Sequence, residues 1–122
     1  TQNEAANATP APAKENVTFE QFGAMDIRVA TIVAAEKVEK TKKLLKLTLD
    51  TGLDQRIVVS GIAEHYQPEE IIGQQVSLLA NLAPREIKGI VSQGMILMAE
   101  DAMGKLCFVS PTQAVNNGGT VR

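Results

Sequence analysis

Cysteine, histidine and aromatic residues are scarce in this sequence, which has one Cys, one His and no Trp. A single cysteine cannot form an intramolecular disulfide, and Cys107, within the apolar run "KLCFVS", is predicted to be a small core residue. The absence of HExxH, CxxC and GxSxG patterns leaves no way to build a zinc site or a catalytic triad. The segments "SGI" and "SQGM" lack the glycines and the lysine of a phosphate-binding loop. We therefore expect no catalytic residue, no metal and no cofactor.

Long apolar runs and an excess of one charge are also lacking. No apolar stretch approaches twenty residues and no signal-peptide pattern is present, so we expect a cytoplasmic location and no membrane contact. Twelve Lys and Arg residues against fourteen Asp and Glu residues give a formal charge of -2, which provides no general attraction to nucleic acid. Nucleic-acid binding would therefore require a local basic patch.

The sequence does contain enough apolar material for one domain, because 44% of its 122 residues are hydrophobic. Residues 1–16 are small, polar and proline-containing, and are predicted to be a disordered interdomain linker before a folded domain at residues 17–122. Because the chain starts at Thr1, this linker suggests a terminal module of a longer protein. A processed precursor or a cloning artefact is the alternative.

Two short helical segments are predicted. The stretch "TFEQ" fits a capping box for a helix that begins after Thr18 and ends near Gly23. Phe19 and Phe22 share one face of that helix, where they either fill the core or remain exposed for contact with a second copy. The second helical segment lies in "EHYQPEEIIG", where Pro68 stands at a helix start.

Alternating hydrophobicity predicts six short strands. A period of two runs from Ile27 to Val33, with Ile27, Val29, Thr31 and Val33 on one side of the strand, and it recurs in "LLKLTLD", whose leucines face inward. "QRIVVSGI", "QVSLLANL", "GMILMAE" and "KLCFVS" supply four more strands. This pattern indicates an all-β fold, a five-stranded oligonucleotide-binding (OB) barrel with a short N-terminal helix, a helical crossover and extra C-terminal strands. The stretch "NLAPREIKGIVSQGM" has neither helical nor strand periodicity and is predicted to be a loop.

Two segments concentrate positive charge. Five lysines lie close together in "EKVEKTKKLLK", namely Lys37, Lys40, Lys42, Lys43 and Lys46. The loop stretch carries Arg85 and Lys88. On an OB barrel the loop between strands one and two and the loop between strands four and five border one face, so we expect these segments to converge on a phosphate backbone. A solvated loop that keeps the chain soluble is the alternative for the lysines.

Aromatic residues that could stack on bases are few: Phe19, Phe22, Tyr66 and Phe108. Single-strand binders without sequence preference usually place bases on aromatic platforms, so that class is disfavoured. A folded RNA recognised through its backbone and shape fits the composition better.

The sequence resembles the tRNA-binding domain found at the C-terminus of many bacterial methionyl-tRNA synthetases. The matching segments are, in order, "DIRVATI", "EKVEKTKKLLKLTLDTG", "RIVVSGI", "NLAPREIKGIVSQGMILMA" and a final "SP", and they extend over nearly all of residues 17–122. The resemblance implies an OB barrel that forms a homodimer through its flanking N- and C-terminal segments and binds tRNA without strong sequence choice. It also implies that the parent chain is a methionine-tRNA ligase whose chemistry lies elsewhere.

The resemblance further implies which residues face tRNA. These are Lys43, Asn81, Arg85, Ser92 and Met95, with Lys88 as a contributor. We add Lys42 to this predicted set as a neighbouring cation. This sequence departs from many relatives in having Glu86 after Arg85, and Lys42 just before Lys-Leu-Leu. Glu86 weakens the positive charge of its segment, whereas Lys42 and Lys88 restore charge nearby.

Two functions remain open. The first is a non-catalytic tRNA-binding and dimerisation module of methionyl-tRNA synthetase that aids capture of tRNA for methionine attachment, with Phe19 and Phe22 at the dimer interface. The second is a stand-alone dimeric chaperone or protein-interaction module of the same barrel type. The predicted linker favours the first function, because a stand-alone chaperone has little use for it. The net negative charge favours the second.

Overall fold

The computed structural model describes residues 11–122, so most of the predicted linker lies outside the described residues. Residues 11–18 contain no helix or strand and are exposed. Helix α1, Phe19–Gly23, follows and has the predicted capping box. The Thr18 hydroxyl accepts the Gln21 N–H at 3.0 Å, and the Gln21 side chain accepts the Thr18 N–H at 2.7 Å. Within residues 11–122, no helix is long and apolar enough to cross a membrane.

Nine strands follow the helix. They are β1 Ile27–Lys37, β2 Leu45–Asp50, β3 Gln55–Ser60, β4 Gln75–Leu79, β5 Arg85–Ile87, β6 Ile90–Ser92, β7 Met95–Ile96, β8 Met98–Glu100 and β9 Leu106–Phe108. Five form an antiparallel sheet in the order β3-β2-β1-β4-β7, and the other four form the hairpins β5–β6 and β8–β9. A 3-10 helix, Pro68–Glu70, lies between β3 and β4. The predicted all-β, five-stranded barrel with a helical crossover is confirmed.

A β-bulge allows the long strand β1 to serve two walls of the barrel. Ile32 pairs with Leu49 and Ala34 pairs with Thr48, so Val33 is an extra residue without a partner on β2. Residues 27–31 of β1 pair with β4, and residues 31–37 pair with β2. The bulge bends the strand at Val33, where the alternation predicted from Ile27 ends.

The hydrophobic core lies inside the curled sheet. Strand β2 has the predicted alternation, in which Leu45, Leu47 and Leu49 are fully buried and the residues between them are half-buried. Ile32 from β1 and Leu78 from β4 are also fully buried in this cluster. Each such side chain contributes about 1.5–3 kcal/mol on burial, so these leucines and isoleucines hold the barrel walls together.

The stretch predicted to be a loop contains the β5–β6 hairpin, and that prediction was wrong. Three-residue strands are too short to show a clear alternation in sequence. The connecting turn also has a lysine, Lys88, where Asn or Asp would have signalled a two-residue turn before Gly89.

Two further expectations are corrected near the C-terminus. The stretch "GMILMAE" is divided into β7 and β8 at Leu97, whose N–H donates to the Ser77 carbonyl at 2.9 Å. Cys107 is exposed rather than buried. Its neighbours Leu106 and Phe108 pack against the core, and strand alternation places Cys107 on the opposite face of β9.

Candidate nucleic-acid interface

The β5–β6 hairpin carries Arg85 and Lys88, two of the predicted tRNA-facing cations. The strand pairing places Arg85 and Ile90 on one face of the hairpin, and Glu86 and Val91 on the other. Both Glu86 and Val91 are exposed. The acidic residue expected to weaken this segment therefore lies on the face opposite Arg85.

Lys88 occupies the hairpin tip in an uncommon backbone conformation. The φ angles of Lys88 and Gly89 are 53° and 82°, as in the primed two-residue turns that usually contain Asn-Gly or Gly-Gly. A left-handed φ is unfavourable for a lysine by about 1 kcal/mol. Among residues 11–122, Lys40 is the only other non-glycine residue with a positive φ, at 63°.

Lys40 and Lys88 meet at a groove between the turn after β1 and the hairpin tip, which we call the lysine groove. It is lined by Glu36, Lys37, Val38, Glu39, Lys40, Lys46, Lys88 and Ile90. Four lysines thus face two glutamates, and one lysine is paired, because Lys46 Nζ lies 3.3 Å from Glu36 Oε1. The fold therefore brings the two basic segments together on one side of the barrel, with a local excess of positive charge.

Of the seven residues predicted to face tRNA, only Lys88 lines the lysine groove, and the other six lie outside it. Lys42 and Lys43 are exposed just before β2, where the Lys43 carbonyl accepts the Ala63 N–H at 2.9 Å. Met95 is 49% exposed at the start of β7. The sequence shows the whole lysine cluster, but only the path of the turn determines that Lys37, Lys40 and Lys46 line the groove.

A second concavity, which we call the arginine notch, lies at the base of the hairpin. It is lined by Asp54, Arg56, Ala80, Asn81, Leu82, Ala83, Pro84 and Gln93. Arg56 Nε donates to Asp54 Oδ1 at 3.0 Å, and Arg56 Nη1 donates to the Ala80 carbonyl at 2.5 Å. Hydrogen bonds from Thr51 and Arg56 hold the pKa of the Asp54 carboxyl below its usual value. The sequence carries no signal for Arg56, which looks like any polar residue on a strand.

Asn81 uses its side chain within the fold. Its Oδ1 accepts the Asp26 N–H at 2.9 Å, and its Nδ2 donates to the Ala24 carbonyl at 2.6 Å. These bonds connect the end of β4 to the segment between α1 and β1. Asn81 therefore shapes the edge of the arginine notch, and its amide is already engaged.

Ser92 closes the barrel and does not face the solvent, which corrects the expectation that it contacts RNA. The residue is 3% exposed. Its Oγ accepts the Val59 N–H at 2.9 Å and donates to the Gly94 carbonyl at 3.3 Å. The Gln93 N–H donates to the Ile57 carbonyl at 2.8 Å. These bonds attach the hairpin to the edge of β3, so Ser92 positions Arg85 and Lys88.

The two predicted dimer residues are accessible. Phe19 is 85% exposed and Phe22 is 39% exposed, with their ring centroids 6.4 Å apart. A separate apolar cleft lies where the C-terminal segment runs beside β1, and its apolar lining residues are Val29, Val109, Pro111, Val115 and Val121. The Val121 N–H donates to the Ile27 carbonyl at 2.8 Å, which holds this segment against the barrel.

Sequence comparison gives a match over most of the chain. The family model described as "Putative tRNA binding domain" matches residues 27–120. The methionine–tRNA ligase of Cytophaga hutchinsonii is 75% identical over 116 residues, which are 95% of this chain and 17% of that protein. The chain therefore spans less than a fifth of the length of the curated relatives it matches.

Solved structures share the same barrel. The MetRS related protein from Pyrococcus horikoshii has a TM-score of 0.83 and 35% identity, covering 89% of this chain and all of that one. The chaperone CsaA of Bacillus anthracis has a TM-score of 0.80 and 27% identity, covering 88% of this chain and all of that one. The barrel is thus shared with a protein related to a synthetase and with a protein described as a chaperone.

Proposed function

Because the chain belongs to the tRNA-binding domain family, we propose that it binds tRNA through the lysine groove and the adjoining face of the β5–β6 hairpin. In this proposal it is a non-catalytic, dimerising module of a cytoplasmic methionine–tRNA ligase. The module helps to capture tRNA, and another part of the ligase attaches methionine. The 75% identity to a methionine–tRNA ligase over most of this chain supports that context.

The observation that carries the proposal is that Lys88, at the hairpin tip, lines the same groove as the turn after β1. A lysine ammonium is a point charge on a flexible stem, which suits contact with phosphates at varying positions. Lys40 and Lys88 keep unfavourable left-handed backbones while lining the same groove. Strain of this kind persists where the surrounding structure requires it and is common at functional sites.

The aromatic residues support recognition through the RNA backbone. Tyr66 and Phe108 pack on each other with ring centroids 4.8 Å apart, and both lie against the core. The Tyr66 hydroxyl donates to the Leu106 carbonyl at 2.9 Å. Neither residue lines the lysine groove, so the groove offers charge without an aromatic platform.

The test removes the two strained lysines together. Asn tolerates a left-handed φ, so Lys40→Asn with Lys88→Asn deletes both charges and preserves both turns. We expect weaker tRNA binding and a shallower slope of log K against log salt, by about 1 for each lysine that contacts a phosphate. Filter binding over a series of salt concentrations measures both quantities.

Lys105→Asn, in the turn between β8 and β9, is the matched control, because Lys105 does not line the lysine groove. It should leave affinity and salt slope close to those of the unmodified chain. If the double variant behaves like this control, the lysine groove is not the tRNA site.

We propose that a second copy covers the face formed by Phe19 and Phe22. Helix α1 has no buried residue, and Phe19 is 85% exposed, so contact with another surface would remove much of this apolar face from water. Sedimentation at micromolar concentration should show a dimer, and Phe19→Ser with Phe22→Ser should shift it to a monomer. Val91→Ser, on the exposed face of the hairpin, is the control. A monomeric unmodified domain would refute this part of the proposal.

A chaperone function is the second candidate, favoured by the similarity to the chaperone CsaA. Its ligand would be unfolded polypeptide. A native gel that compares bulk tRNA with a chemically unfolded protein separates the candidates. Retention of the polypeptide without retention of tRNA would favour the chaperone.

A further inference from the structure

We infer that the arginine notch binds an unpaired RNA base stacked on the guanidinium plane of Arg56. The inference rests on the proposed function, since RNA must first reach the hairpin. It adds a contact of a different chemical class, because a base and not a phosphate would occupy this site.

The guanidinium of Arg56 is fixed in orientation. Asp54 accepts from Nε at 3.0 Å and the Ala80 carbonyl accepts from Nη1 at 2.5 Å. Such bonds lie in the plane of the guanidinium, so they restrain the group without occupying its flat surface. The side chain is 23% exposed and lines the notch. Unpaired RNA bases stack on arginine planes of this kind.

The charge balance of the notch favours a neutral ligand. The Asp54 carboxylate lies against Arg56, and hydrogen bonds from Thr51 and Arg56 lower its pKa from a usual value that is already far below neutral pH. The two charges therefore offset each other, and an incoming phosphate would also meet the exposed carboxylate. A neutral planar base has no such penalty and gains dispersion contact with the guanidinium.

The remaining walls fit a base. The notch is an open concavity of about 400 Å³, and Leu82, Ala83 and Pro84 supply apolar surface. Gln93 Oε1 accepts the Ile57 N–H at 3.3 Å, which leaves the Nε2 group of Gln93 to donate to an acceptor on the edge of the base. The site thus combines a stacking plane, apolar walls and one polar donor.

One RNA strand can reach both concavities, because the same hairpin borders them. Pro84 lines the notch, and Lys88 lines the lysine groove. A separation of four residues along an extended strand is about 13 Å at most, a span of a few nucleotides. A strand held by its phosphates in the groove can therefore place an extruded base in the notch.

The decisive variant is Arg56→Lys, which retains the positive charge and removes the plane. We expect tRNA affinity to fall at least about fivefold, the lower end of the range for one stacked base, with an unchanged salt slope. A blunt duplex RNA with a matched number of phosphates has no unpaired base, and its affinity should not change. The Lys40→Asn, Lys88→Asn double variant should instead lower the affinity for both tRNA and duplex RNA and make both salt slopes shallower.

Equal tRNA binding by Arg56→Lys and the unmodified chain would overturn the inference, as would an equal loss for tRNA and duplex. Failure of the unmodified chain to bind tRNA would instead overturn the proposed function. Thermal unfolding of each variant establishes that it is folded during the assay. If Arg56→Lys unfolds, Gln93→Glu decides, because it retains the acceptor for Ile57 and removes the donor to the base. Its ratio of tRNA to duplex affinity should fall, and an unchanged ratio would refute the inference.

Discussion

The lysine groove and the arginine notch border the same hairpin and differ in how their cations are held. In the groove four lysines face two glutamates, and one close ion pair, Lys46 with Glu36, lies on its wall. In the notch Arg56 is fixed by Asp54 and by a backbone carbonyl. A loosely held excess of charge suits phosphates, whereas a compensated, rigid plane suits a base. Both sites contain cations, but only Arg56 is held by an acidic partner and a carbonyl. The way in which a cation is held therefore determines which ligand its site fits.

The largest expected effect comes from a substitution that disturbs the lysine groove and the arginine notch together. Ser92→Ala leaves the buried Val59 N–H without its acceptor, which should destabilise the domain by about 1–3 kcal/mol. Because Ser92 attaches the hairpin to β3, binding at the groove and the notch should weaken together. Denaturant unfolding and tRNA titration measure the two effects. Ser60→Ala, at the end of β3, is the control; if it costs as much as Ser92→Ala, Ser92 has no special closing role.

A smaller effect distinguishes what Lys88 does for the stability of the domain from what it does for tRNA binding. Lys88→Asn replaces a strained left-handed lysine with a residue that tolerates this conformation, so the free energy of unfolding should rise by about 0.5–1 kcal/mol. The same change should weaken tRNA binding. Thermal unfolding of Lys88→Asn and of Lys105→Asn tests this. A destabilised Lys88→Asn would show that its ammonium group stabilises the fold.

The smallest expected effect is a loss of folding stability at acid pH, and it involves Asp54 in the arginine notch. The pKa of Asp54 is lowered in the folded state, so its contribution to stability is present above the unfolded value of 3.8 and is lost as pH falls through the folded pKa. Unfolding followed from neutral pH into this acid range should show a steeper loss in the unmodified chain than in Asp54→Asn. Identical pH profiles would mean that the interactions of the Asp54 carboxylate with Thr51 and Arg56 do not contribute.

Local features of the fold could be predicted from the sequence because each depends on neighbouring residues. The capping box at Thr18, the alternation of Leu45 to Leu49 and the helical turn at Pro68 all follow from patterns within a few positions. The β5–β6 hairpin could not be predicted, because Lys88 occupies a turn position where asparagine or glycine is usual.

The site could be predicted only in part. The sequence identified the lysine cluster, Arg85 and Lys88 as the basic segments, and the barrel type predicted that they meet. It did not distinguish Lys40, inside the groove, from Lys42, outside it. It also assigned Ser92 to ligand contact, because a serine hydroxyl looks the same in sequence whether it faces RNA or a buried N–H.

The sequence by itself determined the all-β class, the barrel type and the family resemblance, since strand periodicity and ordered motifs are properties of the linear chain. The tertiary structure decided which cations share a groove, which arginine is held flat and which polar side chains are already occupied. These outcomes depend on hydrogen bonds between distant segments, such as Ser92 with Val59 and Arg56 with Ala80, and on the bend at Val33 that closes the barrel.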